Sequence, residues 1–125
     1  MAINILIVDD SVLTRKAIRR ILDMLDLPIG EVYEAQDGLD ALQILEQKRV
    51  GMIMADLHMP RLDGKEFIKK VKESKDKSSI PIFVFSAESN DACIKELLSQ
   101  GINGFLHKPF TPEKVRETVM ANIGR

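Results

Sequence analysis

Cysteine is nearly missing from this chain: Cys93 stands alone among 125 residues. A lone thiol excludes an internal disulfide and any cysteine-based metal cluster, and Cys93 reads as a small apolar residue on a helix. No apolar run approaches the roughly 20 residues that a helix needs to cross a bilayer. An excess of one charge is missing too. The 18 Lys and Arg face 19 Asp and Glu, a formal net charge of −1, which argues against a general nucleic-acid binder because such proteins carry a clearly basic balance. The opening MAINILIVDD has neither the basic start nor the long apolar middle of a secretory signal, so a cytoplasmic location is the expectation. Low-complexity tracts, linkers and internal repeats do not stand out, and a single domain is expected over residues 1–125.

What is present is alternation. INILIV (3–8) is a short, β-rich apolar run, and VLTRKAIRRILDML (12–25) follows with Leu13, Ala17 and Ile21, and Ile18, Leu22 and Leu25, at helical spacing. EVYEA (31–35) is a second strand, after punctuation by Pro28 and Gly30, and GLDALQILEQK (38–48) a second helix with Leu42 and Leu45 inward. MIMAD (52–56) is the third strand. GKEFIKKVKES (64–74) is a helix with Phe67, Ile68 and Val71 on one side. IPIFVF (80–85) is a strand whose proline sits near its start, where the missing donor is tolerated. DACIKELLSQ (91–100) is a helix closed by Gly101 as C-cap, GFLH (104–107) the fifth strand, and PEKVRETVMANI (112–123) a last helix with Thr111 as N-cap and Pro112 at its first position. Five β-α units with continuously apolar strands predict a parallel sheet covered by helices on both faces, an α/β fold with right-handed crossovers.

In such a sheet the strand C-termini share one edge, where ligands bind. After the first strand come Asp9 and Asp10. The third strand ends on Asp56. Ser86 follows the fourth and Lys108 the fifth, while the second offers the loop with Asp37 and Gly38. An isolated Asp there is a cap or turn former, and an isolated Lys a solvated charge. Together they are a chemical set. Three close carboxylates repel and call for a cation. Magnesium, a hard ion taking carboxylates, waters and a phosphate oxygen, suits them. One carboxylate is then placed to act as a nucleophile through an aspartyl-phosphate, with Lys108 and the Ser86 hydroxyl for the phosphoryl oxygens.

ILIVDDS, ADLHMPRLDG, VFSAES and LHKPFTPE resemble the four signature blocks of the receiver domain of two-component response regulators, most closely its CheY-like, chemotaxis-type members. The resemblance runs from the first strand to the last helix. It implies a doubly wound, flavodoxin-like three-layer sandwich of strand order 2-1-3-4-5. It also implies Asp56 as phosphoacceptor, and Mg²⁺ held directly by Asp10 and Asp56, through water by Asp9, and by the backbone carbonyl of His58. Ser86 and Lys108 become phosphoryl-binding residues, and Phe105 the aromatic switch position. Pro109 becomes a proline preceded by a cis peptide. Two departures stand out. Phe105 replaces the tyrosine of CheY, so a rotamer switch survives but its hydroxyl hydrogen bond does not. His58 sits at the entrance of the site, and with Glu88 opposite is expected to gate the water that hydrolyses the acyl phosphate. His58 and His107 flank different strands and are not read as a metal pair.

The function expected from the resemblance is a phosphorylation-controlled switch rather than an enzyme, catalysing only its own phosphorylation and dephosphorylation. Its partners would be a histidine kinase or phosphotransfer protein and a downstream protein bound by the fourth helix, fifth strand and fifth helix. Neither nucleic acid nor membrane is expected as a partner, and a monomer is expected. The basic face of the first helix (Arg15, Lys16, Arg19, Arg20) is a candidate kinase-docking surface, whereas Lys65, Lys69, Lys70, Lys72, Lys75 and Lys77 read as a solvated face and loop. A stand-alone regulator is expected, the alternative being a receiver cut from a larger regulator or hybrid kinase. A haloacid-dehalogenase-like phosphohydrolase would want a second Asp where His58 stands. A flavin binder would want a phosphate loop where Asp9 and Asp10 stand.

Overall fold

The computed structural model describes residues 2–57, 61–86, 91–108 and 111–123, with Asp91, Asn122 and Ile123 described by their backbone alone. The elements alternate as expected: β1 (Ile3–Val8), α1 (Val12–Met24), β2 (Ile29–Ala35), α2 (Gly38–Gln47), β3 (Met52–Asp56), α3 (Gly64–Glu73), β4 (Ile82–Ser86), α4 (Asp91–Ser99), β5 (Gly104–His107) and α5 (Pro112–Ile123). All pairings are parallel, and the sheet order is β2-β1-β3-β4-β5.

The strands read as continuous apolar runs because each face of the sheet meets helices. Leu6, Val8, Ile53 and Val84 pack with Ala41, Leu45, Phe67, Ile68, Val71 and Leu97 from α2, α3 and α4. Their neighbours Ile5, Ile7, Met52, Met54, Phe83 and Phe85 point the other way, onto Ile18 and Leu22 of α1 and Val115 and Val119 of α5. Every residue of β3 and β4 is buried. Fully burying one such side chain is worth roughly 1.5–3 kcal/mol, so these two layers hold the sheet edge in place.

Side-chain caps start the helices where the sequence places them. Ser11, Asp37, Asp63 and Thr111 accept from the backbone N–H of Thr14, Asp40, Glu66 and Lys114. Gly101 closes α4 with φ +99°, its N–H donating to Leu98. Two boundaries differ from expectation. β2 begins at Ile29, before Gly30, because the register shifts between Ile3 and Ile5 and the Asn4 carboxamide fills the gap, accepting from Glu31 N–H and donating to the Arg49 carbonyl. β4 begins after its proline, and the Pro81 carbonyl still accepts from Ile53 N–H. In α1 the apolar period overcounts the core. Ile18 and Leu22 are buried, but Leu13 is 80% exposed.

Candidate functional site

Strand register sets the site. Val8 lies beside Ala35 and Ala55, Asp56 beside Phe85, and Ser86 beside His107. The five strands therefore end nearly level, and Asp9, Asp10, Asp56, Ser86 and Lys108 are brought to one edge. Carboxylate oxygens of Asp9, Asp10 and Asp56 lie within 4.8 Å of one another. Asp9 and Asp56 are buried and Asp10 is exposed. The Lys108 ammonium stands 3.6 Å from Asp9 Oδ2 and 3.7 Å from Asp56 Oδ1. Those are ion-pair distances rather than hydrogen bonds. The Lys108 side chain reaches the crevice over the Phe85 ring, 5.4 Å from its centroid, and the Lys108 backbone N–H donates to the Ser86 carbonyl, which joins the ends of β4 and β5.

The backbone orients both buried carboxylates. Ser11 N–H donates to Asp9 Oδ1 and Leu57 N–H to Asp56 Oδ1, each at 2.8 Å. Asp9 Oδ2 is buried and has no hydrogen bond. Burial raises the Asp9 carboxyl above its ordinary value, the neighbouring Asp56 and Asp10 charges add to the rise, and the Ser11 N–H and Lys108 oppose it. Among the described residues, three carboxylates face one ammonium and leave the crevice net negative. Two unit charges about 5 Å apart repel by on the order of 3 kcal/mol at an effective dielectric of about 20, and these oxygens lie within 4.8 Å of one another. A hard divalent cation fits this donor set. It answers the negative charge, adds to the ion pair that Lys108 makes with Asp9 Oδ2 at 3.6 Å, and takes the oxygen ligands that the three carboxylates offer.

Some expected site residues are placed elsewhere or fall outside the described residues. Phe105 packs partly buried against the α2–α3–α4 side of the core, with its ring edge-on to His107 at 4.9 Å. His58, Glu88 and Pro109 lie outside the described residues. The basic face of α1 is not uniformly solvated. Arg15 pairs with Glu34 at 3.1 Å and donates to the Asp9 carbonyl, with only 13% of its side chain exposed. Arg19 joins the same Glu34 at 3.0 Å. Of the lysines read as solvated, Lys65 reaches Glu96 at 3.3 Å and ties α3 to α4.

One feature of the crevice rim was not legible. Arg61 Nε donates to the buried Asp37 Oδ2 at 2.6 Å, and its terminal nitrogen reaches Asp40 at 3.3 Å. Burial alone would push the Asp37 carboxyl up. The Arg61 hydrogen bond, the Asp40 N–H and the guanidinium charge outweigh it, so the group sits below the ordinary carboxylate value. Asp37 and Arg61 are 24 residues apart, and no local pattern announces the pair.

Fold and crevice together define a doubly wound parallel α/β domain with an acidic crevice at the C-terminal ends of its strands. The chain belongs to the response regulator receiver domain family, whose profile matches residues 5–120. Among its relatives is a chemotaxis protein CheY homolog of Campylobacter jejuni, 32% identical over 122 residues, covering 97% of this chain and 92% of the relative. CheY-3 of Vibrio cholerae is 32% identical over 114 residues, covering 91% and 86%. The solved structure of the chemotaxis response regulator CheY4 of Vibrio cholerae superposes with a TM-score of 0.87 at 31% identity, covering 97% of this chain and 98% of that one. The receiver domain of sensor histidine kinase PA1611 from Pseudomonas aeruginosa, solved with magnesium in its active-site cleft, gives 0.87 at 25% identity over the whole of both chains. This is a CheY-like receiver domain of two-component signalling. No helix among the described residues is long and apolar enough to cross a membrane.

Proposed function

We propose that the chain is one receiver domain acting as a phosphorylation-controlled switch, with the Asp56 carboxylate as acceptor. One observation carries this reading: Asp9, Asp10 and Asp56 converge within 4.8 Å at the end of the central strand, with Lys108 3.7 Å from Asp56. A carboxylate oxygen of Asp56 attacks the phosphorus of a phosphohistidine. An O–P bond forms, the P–N bond breaks, and the electron pair returns to the imidazole nitrogen. The nucleophile is already anionic and needs no general base, so the protein contributes placement and charge.

Asp10 and Asp56 would hold Mg²⁺ directly, Asp9 through water and His58 through its carbonyl, and the ion would supply the positive charge that lets two anions approach. Lys108 takes a phosphoryl oxygen as a compact cation. The Ser86 hydroxyl closes on another, and the space it leaves is filled by Phe105. The surface of α4, β5 and α5 thereby changes and is read by a protein partner. Phosphorylation adds charge at one point and selects a state the free domain already samples. His58 and Glu88 belong in this reading as the pair controlling the hydrolytic water.

The test is acid-labile labelling with acetyl phosphate and Mg²⁺. Wild-type protein takes up one phosphoryl group and Asp56→Asn takes up none. Label persisting in that variant, or steady turnover of small phosphomonoesters by the wild type, overturns the assignment.

A further inference from the structure

We infer that the Asp37–Arg61 pair is a positioning latch for the carboxylate crevice, an inference that rests on the proposed function above. Arg61 has φ +62°, the left-handed region that a non-glycine residue keeps only where its surroundings impose it. Here they do. Arg61 is bound at 2.6 Å to Asp37 and at 3.3 Å to Asp40. Next to it the Leu62 carbonyl accepts from Gly38 N–H at 3.3 Å, and a Cβ on Gly38 would come within 2.8 Å of that carbonyl. The other end of the same corner is held on the site. Gly64 N–H donates to the Leu57 carbonyl at 2.9 Å, and a Cβ on Gly64 would lie 2.7 Å from the Asp56 carbonyl.

The corner 61–64 thus spans from the start of α2 to the backbone of Asp56 and Leu57. The acidic crevice is made of two halves, Asp9 and Asp10 after β1 and Asp56 at the end of β3, which repel. Asp10, Gln36, Asp37 and Arg61 line one cleft of about 400 Å³, so the latch closes beside Asp10, the exposed member of the three carboxylates. Asp37 spends one oxygen on capping α2 and the other on Arg61. That division leaves the cap in place when the latch is broken.

The sign of one measurement separates positioning from plain electrostatics. Arg61→Gly suits φ +62° and removes a positive charge from the rim of an acidic site. Coulomb attraction alone would make it bind Mg²⁺ more tightly. The latch predicts weaker binding, by about tenfold, the low end of what removing a supporting contact costs a metal site. Asp37→Asn, which can still cap α2, should weaken binding equally, and the double variant no further, since both substitutions break one interaction. Mg²⁺ affinity is read by calorimetry on the full chain without phosphodonor, with circular dichroism melting to verify the fold. The acetyl phosphate labelling rate should fall at low Mg²⁺ and return close to wild type at saturating Mg²⁺. Asp76→Asn, which alters the Asp76–Lys77 pair in the loop between α3 and β4, should change neither. Unchanged or tighter Mg²⁺ binding in Arg61→Gly overturns the latch, as does additive loss in the double variant. A wild type that binds Mg²⁺ but takes no label on Asp56 overturns the phosphoacceptor reading instead, and the affinities still decide the latch.

Discussion

Two buried aspartates in this domain are pushed in opposite directions. Burial raises Asp9, and two more carboxylates reinforce it. Burial also works on Asp37, but the Arg61 guanidinium and the Asp40 N–H overcome it. The pH consequences have opposite signs. A carboxyl raised on folding binds its proton more tightly in the native state, so its charged form costs stability at neutral pH, and the cost is relieved as pH falls through its raised value towards 3.8. Asp9→Asn keeps an oxygen for the Ser11 N–H and removes the charge. Without divalent metal it should melt several degrees above wild type at pH 7, ~1 kcal/mol being worth about 4 °C in a domain of this size. The gap should close as pH falls towards 3.8. A gap that is constant with pH, or a lower melting point at pH 7, counts against the crowding. Asp37 behaves conversely. Its lowered value contributes stability above 3.8 that is lost as pH falls through the folded value, so Asp37→Asn should be destabilised at pH 7 and indistinguishable from wild type in acid.

At the scale of the element, the start of α3 is a tight backbone-on-backbone joint. A methyl group on Gly64 would meet the Asp56 carbonyl at 2.7 Å and the Leu57 Cα and carbonyl at 2.8 Å, all backbone atoms that cannot rotate away. Gly64→Ala should therefore cost about 1–3 kcal/mol of stability in urea denaturation and slow labelling by acetyl phosphate. Gly104→Ala is the contrast. Its methyl would press at 2.8 Å on the Phe83 ring, a side chain in the other core, and should destabilise without touching the labelling rate of the folded protein. The apolar elements were legible in the sequence because burial on both sheet faces writes a strand as an unbroken apolar run and a capped helix opens with Ser, Thr or Asp. Gly30 was misleading for the opposite reason. It reads as punctuation, but within β2 it leaves room for Asn4, and that close approach is a tertiary fact. Leu13 keeps the helical period of α1 yet faces solvent, since periodicity reports the face and not where a face stops being covered.

Across the whole molecule, the carboxylates come from separate strands that only the 2-1-3-4-5 order makes neighbours. Asp9, Asp10, Asp56, Ser86 and Lys108 were legible because each directly follows or ends an apolar strand, a position that one parallel edge collects. The Asp37–Arg61 pair was not, because a surface arginine in a turn carries no mark of its φ or its partner. On the proposed function, the same assembly makes stability and Mg²⁺ binding one equilibrium. The sheet forces like charges together, and a cation binding only the folded state returns RT ln(1 + [Mg²⁺]/Kd), about 2.7 kcal/mol at a hundred times Kd. Asp56→Asn changes both sides of that balance. It removes one buried charge, so without metal its urea midpoint should exceed that of wild type. It also removes a ligand, so its midpoint should rise less with Mg²⁺. Plotted against log [Mg²⁺], the two stabilities should cross, with wild type the less stable at low Mg²⁺ and the more stable at high. Parallel lines would mean that Asp56 takes no part in holding the ion. A wild type already the more stable without metal would mean that Lys108 and the backbone donors suffice to neutralise the crevice.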